Sequence, residues 1–199
     1  MTTPAFDAEA LRAAIGSGDP SRSMPALVAL REVENELAVP LLLLGLEQEA
    51  FLVRSLSCAG LGVKPTEAGW LALVQALQDD VDANVRAEAA NALVSHSLER
   101  AWPLLLAAFE RDQGWLVRCS ILSAVAEHPA MAGADLLTLA RLAIADDDGT
   151  VRVGGAEVLG RLRLEAVEPW AEEARQELAR LQQDGDHRVV AAALNGLSI

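Results

Sequence analysis

A Val-Arg dipeptide returns through this chain at nearly constant intervals. It stands at Val53-Arg54, Val85-Arg86, Val117-Arg118 and Val151-Arg152, which are 32, 32 and 34 residues apart. Small or apolar residues follow four and seven positions after each arginine, so we expect these positions and the valine to be buried on a helix. A period of this length, built from helices, predicts an α-solenoid in which stacked helix pairs share one core.

A second helix is predicted between successive Val-Arg helices. The predicted ranges are Glu36–Glu47, Thr66–Gln78, Leu98–Glu110, Gly133–Ala145 and Leu164–Gln182. Acidic turns such as QDDVD precede the Val-Arg helices, where carboxylates suit a helix N-terminus. A degraded last copy, DHRVVAAALNGL, carries Val190 in the place of the arginine.

These elements predict an all-α protein, a right-handed α-solenoid of about six helix pairs. We expect one domain over residues 1–199, in which residues 1–35 form N-terminal capping helices. Residues 36–163 form the regular repeats, and residues 164–199 form a divergent C-terminal repeat.

The charge of the chain limits its partners. It has 29 acidic and 16 basic residues and a formal net charge of −13, and Lys64 is the only lysine. Such a surface repels phosphate, so we expect no nucleic acid partner. The longest apolar stretch, Ala38–Leu46, is too short to span a bilayer, so we also expect no membrane insertion. Two cysteines without metal-ligand spacing fit a reducing, cytoplasmic location.

The pattern D-x-x-VR-x-x-A-A-x-x-L, clearest at Asp82–Leu93, resembles the second helix of a HEAT repeat. The interval near 32 and the richness in alanine are closest to the short HEAT-like repeats of phycobilin lyase-type proteins. The resemblance implies a structural ladder, in which each repeated arginine binds a turn aspartate of a neighbouring repeat. The arginines would be Arg54, Arg86, Arg118 and Arg152, and the acceptors Asp80, Asp82, Asp112, Asp146 and Asp148.

No residue constellation in the sequence indicates catalysis or a metal site. His96, His128 and Lys64 each lie ten residues after a ladder arginine, and we interpret them as cations at helix C-termini. We expect no catalytic residue, no metal and no cofactor. Trp115, at the start of a Val-Arg helix, either anchors a partner or packs on its own turn.

The positions one, two and five after each ladder arginine are predicted to face outward along the concave side of the solenoid. They are small and nearly uncharged, which suits a protein helix or loop better than a polyanion. The predicted partner-binding residues are Leu56, Glu88, Asn91, Trp115, Ser120, Ser123 and Glu157.

Two hypotheses of function follow. The first is a non-catalytic scaffold or assembly chaperone that binds another protein on this face. The second, implied by the resemblance alone, is an accessory subunit of a bilin lyase that attaches a chromophore to phycobiliproteins. In that case a transient bilin, a second HEAT-like chain and a phycobiliprotein subunit would be its partners.

Overall fold

The computed structural model describes residues 7–165 and 169–198. Over these residues the chain is all-α, with twelve α-helices, one 3₁₀ turn at Leu30–Glu32 and no strand. The helices are α1 (Ala8–Ile15), α2 (Pro20–Ala29), α3 (Asn35–Leu46), α4 (Phe51–Gly62), α5 (Glu67–Asp79), α6 (Ala83–His96), α7 (Leu98–Arg111), α8 (Trp115–Ala126), α9 (Gly133–Ile144), α10 (Gly149–Glu165), α11 (Trp170–Leu181) and α12 (His187–Ser198).

The chain forms two compact units, Met1–Ser97 (unit 1) and Leu98–Ile199 (unit 2). In unit 1, α2, α4 and α6 pack side by side as one layer, and α1, α3 and α5 form a second layer. In unit 2, α10 packs between α8 and α12, and α9 packs on α11. We call the layer of even-numbered helices in each unit its even layer. The other helices form its odd layer.

The repeated dipeptide places its valine in the core. Val53, Val85, Val117 and Val151 are all buried, and so are the residues seven positions after each arginine, Leu61, Leu93, Val125 and Leu159. The Val-Arg helices are therefore α4, α6, α8 and α10, all even-numbered, and each unit stacks three helix pairs. The all-α fold of stacked helix pairs is confirmed within each unit, whereas the right-handed turn and the single domain stay predictions.

The helix boundaries agree with the sequence-based ranges except near the last repeat. Residues 164 and 165 belong to the end of α10, and α11 begins only at Trp170, so the predicted start at Leu164 was wrong. Pro169 stands at the N-cap of α11, where a residue without an N–H group does not cost a helical hydrogen bond. Residues 166–168 of the predicted helix lie outside the described residues.

Small residues let neighbouring even-layer helices approach closely. A Cβ atom added at Gly62 of α4 would lie 3.0 Å from the Cβ of Ala92 on α6. One added at Gly160 of α10 would lie 3.1 Å from the Cα of Gly196 on α12. The alanine and glycine content of the chain therefore sets the spacing within each even layer. No helix in residues 7–165 or 169–198 is long and apolar enough to cross a bilayer.

Candidate partner-binding surface

The repeated arginines lie at the N-terminal ends of the even-layer helices and bind the turns around them. Nε of Arg54 lies 2.7 Å from Oδ2 of Asp80, and the two side chains are 13% and 11% exposed. Nε of Arg118 lies 2.6 Å from Oδ2 of Asp146 in the same way. These ion pairs join turns of successive repeats, so most of each guanidinium is engaged in holding the stack together.

Each arginine also donates to a backbone carbonyl six residues before it. The Nη1 atoms of Arg54, Arg86 and Arg152 donate to the carbonyls of Gln48, Asp80 and Asp146, at 2.9 Å in each case. Nη1 of Arg118 donates to the carbonyl of Asp112 at 2.5 Å. These carbonyls stand at or just after the end of the preceding odd-layer helix, where helical partners are lacking.

The acceptor carboxylates differ in part from those expected. The predicted acceptors Asp82 and Asp148 instead accept the backbone N–H groups of Asn84 and Thr150, and so cap α6 and α10. The missed acceptor is Asp184, which binds Arg152 through both carboxylate oxygens. Its position was available from the sequence, because Asp184 precedes Val190 by the same six residues that separate Asp80 from Arg86.

A second set of contacts caps the C-terminal ends of even-layer helices. Nζ of Lys64 donates to the carbonyls of Arg31 and Val33, and Nε2 of His96 donates to the carbonyl of Leu61 at 2.8 Å. These groups lie near helix C-termini as expected, but they bind the end of the preceding repeat. His128 does not follow this pattern, since its Nδ1 accepts the N–H of Ala130.

In unit 2, Arg161 of α10 extends this second set. Its guanidinium donates to the carbonyl of Ala126, at the end of α8. Since the carbonyls at a helix C-terminus lack helical partners, this bond caps the preceding even-layer helix of that unit.

In unit 1, a cleft of about 290 Å³ lies on the even layer between α2 and α4. Its floor is apolar and includes Leu27, Leu30 and Leu42, and the predicted contact residue Leu56 lines it. Val28 and Val63, also in the lining, are 59% and 58% exposed. Both charged residues of the lining are cations, Arg31 and Lys64.

Glu88 and Asn91 lie on α6 of the same unit, and both are half-buried. Burial raises the pKa of the Glu88 carboxyl. Its charge contributes to the high pKa of Cys58, so the carboxylate lies beside α4. The Glu88 carboxyl has no hydrogen bond or ion pair with any residue in the described ranges. The predicted contacts Leu56, Glu88 and Asn91 are thus on adjacent helices of one layer.

In unit 2, the predicted contacts Trp115, Ser120 and Ser123 lie on α8, and Glu157 lies on α10. Trp115 is 49% exposed at the first position of its helix. Ser120 is half-buried, while Ser123 and Glu157 are exposed. Glu157 lines a second cleft, of about 680 Å³, between α10 and α12. The use of these residues as contacts stays a prediction.

Three residues of the unit 1 cleft were not predicted from the sequence, namely Val28, Arg31 and Val63. Val28 and Arg31 belong to a repeat that has no Val-Arg dipeptide, so the spacing from a repeated arginine could not assign them to the even layer. Val63 follows α4 as its C-cap residue. The available signal was the match of Leu30 to Leu93, which sets the register of α2 against the later helices.

The described residues form no metal-ligand cluster, and burial raises the pKa of both cysteine thiols. No three His, Cys, Asp or Glu side chains within the described ranges lie close enough to hold a metal ion. Burial, with a contribution from Glu88, raises the pKa of the Cys58 thiol to about 12, which disfavours the reactive thiolate.

The comparison with protein families agrees with the repeat fold. A family model of HEAT repeats matches residues 39–126. No curated protein matches the chain. One similar solved structure is that of the complex of CpcE and CpcF of phycocyanin lyase from Nostoc sp. PCC7120. The two chains share 19% sequence identity with a TM-score of 0.42, and the match covers 95% of this chain and 96% of that chain. A likeness at this level does not carry function from one chain to the other. The family match supports HEAT-like repeats over residues 39–126.

Proposed function

We propose that this chain is a non-catalytic HEAT-repeat scaffold that binds another protein on its even layer. The observation that carries the proposal is the unit 1 cleft, which has an apolar floor and two exposed valines at its margin. Exposed apolar groups around a pocket favour association with a protein surface, since burying them removes apolar area from water.

The remaining charged groups of the repeats support the same proposal. The ladder arginines and Lys64 are engaged with turn carboxylates and carbonyls. They hold the repeats in place, so variation of the intervening surface positions leaves the stack intact. A repeat fold of this kind offers a rigid surface on which contact residues differ from repeat to repeat.

The test compares two leucine substitutions in the full chain. Leu56→Arg places bulk and charge in the cleft, and the matched control Leu71→Arg changes an exposed leucine on α5 of the odd layer. Partners are captured from the source organism with each tagged variant and identified by mass spectrometry. We expect one specific partner to be lost from the Leu56→Arg sample and kept with the control. Loss of the partner from the Leu71→Arg sample alone would refute the proposal.

The alternative function is that of an accessory subunit of a bilin lyase, and it is favoured by the resemblance of the short, alanine-rich repeats. It differs from the scaffold hypothesis in requiring a transient bilin and a phycobiliprotein subunit. A phycobiliprotein subunit among the captured proteins, together with bilin absorbance that co-elutes with the chain, would favour this alternative.

A further inference from the structure

The even layer of unit 1 carries charges of opposite sign at its two sides. Arg31, in the 3₁₀ turn directly after α2, lines the cleft, is exposed and has no hydrogen bond through its guanidinium to any described residue. Leu56 lines the same cleft from α4. Glu88 lies on α6, the next helix of the layer. Its side chain is half-buried and has no ion pair with a described residue. The layer therefore presents a cation just after α2, an apolar position on α4 and an anion on α6.

Lys64 strengthens the cationic end. Its side chain is 9% exposed, and Nζ donates two hydrogen bonds, to the carbonyls of Arg31 and Val33. An ammonium group has three donors, so one stays available after these two bonds. Since no acidic residue lines this cleft, a carboxylate that entered it would meet two cations and no like charge.

The anionic end is desolvated. Burial raises the pKa of Glu88, which means that the charged carboxylate is disfavoured where it stands. A cation that approaches Glu88 would stabilise its charged form. Leaving such a group without a partner costs stability in the free chain, and this cost is recovered when a partner supplies the counter-charge.

We propose that the even layer of unit 1 binds an amphipathic helix of another protein that carries a carboxylate at one end, an apolar side chain in the middle and a cation at the other end. This inference rests on the proposed scaffold function and names the chemistry of the partner. The carboxylate binds at Arg31 and Lys64, the apolar side chain enters the cleft beside Leu56, and the cation binds Glu88.

The spacing of the three groups on the partner follows from helix geometry. Packed helices lie about 8–10 Å apart, and a helix rises about 1.5 Å per residue. A partner helix that crosses the even layer therefore advances about five to seven residues between one helix and the next. Within this range, a spacing of seven residues places the three groups on one face of the partner helix.

The test uses three labelled helical peptides that differ only in their end charges. All carry a central leucine, with charged residues seven positions before and after it. One peptide has glutamate at one end and lysine at the other, the second has glutamate at both ends, and the third has lysine at both ends. Binding to the full chain is measured by fluorescence anisotropy at physiological salt, where exposed charges are screened beyond about 8 Å.

We expect the mixed-charge peptide to bind about tenfold more tightly than either like-charged peptide. Arg31→Glu should shift the preference to the peptide with two lysines, and Glu88→Lys should shift it to the peptide with two glutamates. Because Arg31 is exposed, Arg31→Glu tests the inference even if Glu88→Lys fails to fold. Thermal melting shows which variants are folded.

Several results would overturn the inference. One is that the variants bind the three peptides in the same order of affinity as the native chain. Another is that the native chain binds the two-lysine peptide most tightly, which would indicate general attraction to its net charge of −13. Absence of binding by all three peptides at millimolar concentration would also overturn it.

Dimerisation of the chain that Leu56→Arg abolishes would instead assign the surface to a second copy of the chain. If partner capture depends on Leu56 while the peptides are not discriminated, the scaffold function stands and this inference alone fails.

Discussion

Arg152 and Asp184 form a two-point ion pair between residues 32 positions apart. Nε of Arg152 donates to Oδ2 at 3.0 Å, and Nη2 donates to Oδ1 at 3.1 Å. Nη1 of the same guanidinium donates to the carbonyls of Asp146 and Asp147. One planar fork thus fixes the turn before α10 and the turn before α12, which only arginine can do with this geometry.

The ladder predicts unequal costs for two arginine substitutions in unit 2. Arg118→Ala removes an ion pair and a carbonyl contact at a side chain that is 12% exposed. We expect a loss of ~1.5–3 kcal/mol in the free energy of unfolding, the range for hydrogen bonds to charged groups. Arg188→Ala removes only an exposed pair with Asp186, which solvent screens, so we expect a smaller loss than for Arg118→Ala. Urea unfolding measures both, and equal losses would show that the repeated arginine is not structural.

The Arg152–Asp184 pair predicts a dependence of stability on pH. The hydrogen bond from Arg152 lowers the pKa of Asp184 in the folded chain. Its stabilising effect is therefore complete above the unfolded pKa of about 3.9 and is lost as pH falls through the folded value. The difference in unfolding free energy between the native sequence and Asp184→Asn should be constant above pH ~5 and shrink below pH ~4. A difference that does not change with pH would contradict this role for Asp184.

The helices and the buried face could be predicted because both depend on a short repeated pattern. The valine of the dipeptide, the residue seven positions after the arginine and the acidic turns recur in register, so one copy predicts the next. The unit 1 cleft could not be predicted in this way. It forms where α2, which lacks the dipeptide, meets α4, and its margin includes Val28 and Arg31, which no repeat position identified.

The ladder shows the same limit at the level of single acceptors. The resemblance implied that turn aspartates bind the arginines, but it did not separate Asp80 from Asp82, which lie in one turn. The structure separates them by geometry. Oδ1 of Asp82 accepts the N–H of Asn84 as a helix cap, while Asp80 faces the guanidinium of Arg54. One turn alone does not distinguish the two carboxylates, whereas the repeat register does, because Asp80, Asp146 and Asp184 each lie six residues before the next anchor position.

The two cysteines should differ in reactivity. Burial, with the charge of Glu88, raises the pKa of Cys58 to about 12, and the side chain is fully buried. Burial and the charge of Asp148 also raise the pKa of Cys119, which is only half-buried. Iodoacetamide at pH 8 should therefore label Cys119 slowly and Cys58 only after denaturation, because the thiolate is the nucleophile. Mass spectrometry of tryptic peptides gives the result, and labelling of native Cys58 first would contradict it.

The close approach of α4 to α6 predicts a cost for a single added methyl group. Gly62→Ala would place a Cβ 3.1 Å from the Cα of Ala92, which is backbone and cannot rotate away. We expect a loss of ~1–3 kcal/mol, as for other overpacked cores. Gly185→Ala is the matched control, since nothing lies within 4 Å of its added Cβ. Thermal unfolding of both variants tests this, and equal melting temperatures would mean that the helices separate without cost.

The most direct test of the scaffold proposal is hydroxyl-radical footprinting of the chain, free and bound to its captured partner. The even layer of unit 1 carries the exposed Val28 and Val63 and the half-buried Leu56, and the odd layer exposes Leu37 and Leu71, so oxidation can be followed separately on each layer. We predict that oxidation of the first three falls on binding while that of the other two is unchanged. Protection of Leu37 and Leu71 with continued oxidation of Leu56 would contradict the central claim that the even layer binds the partner.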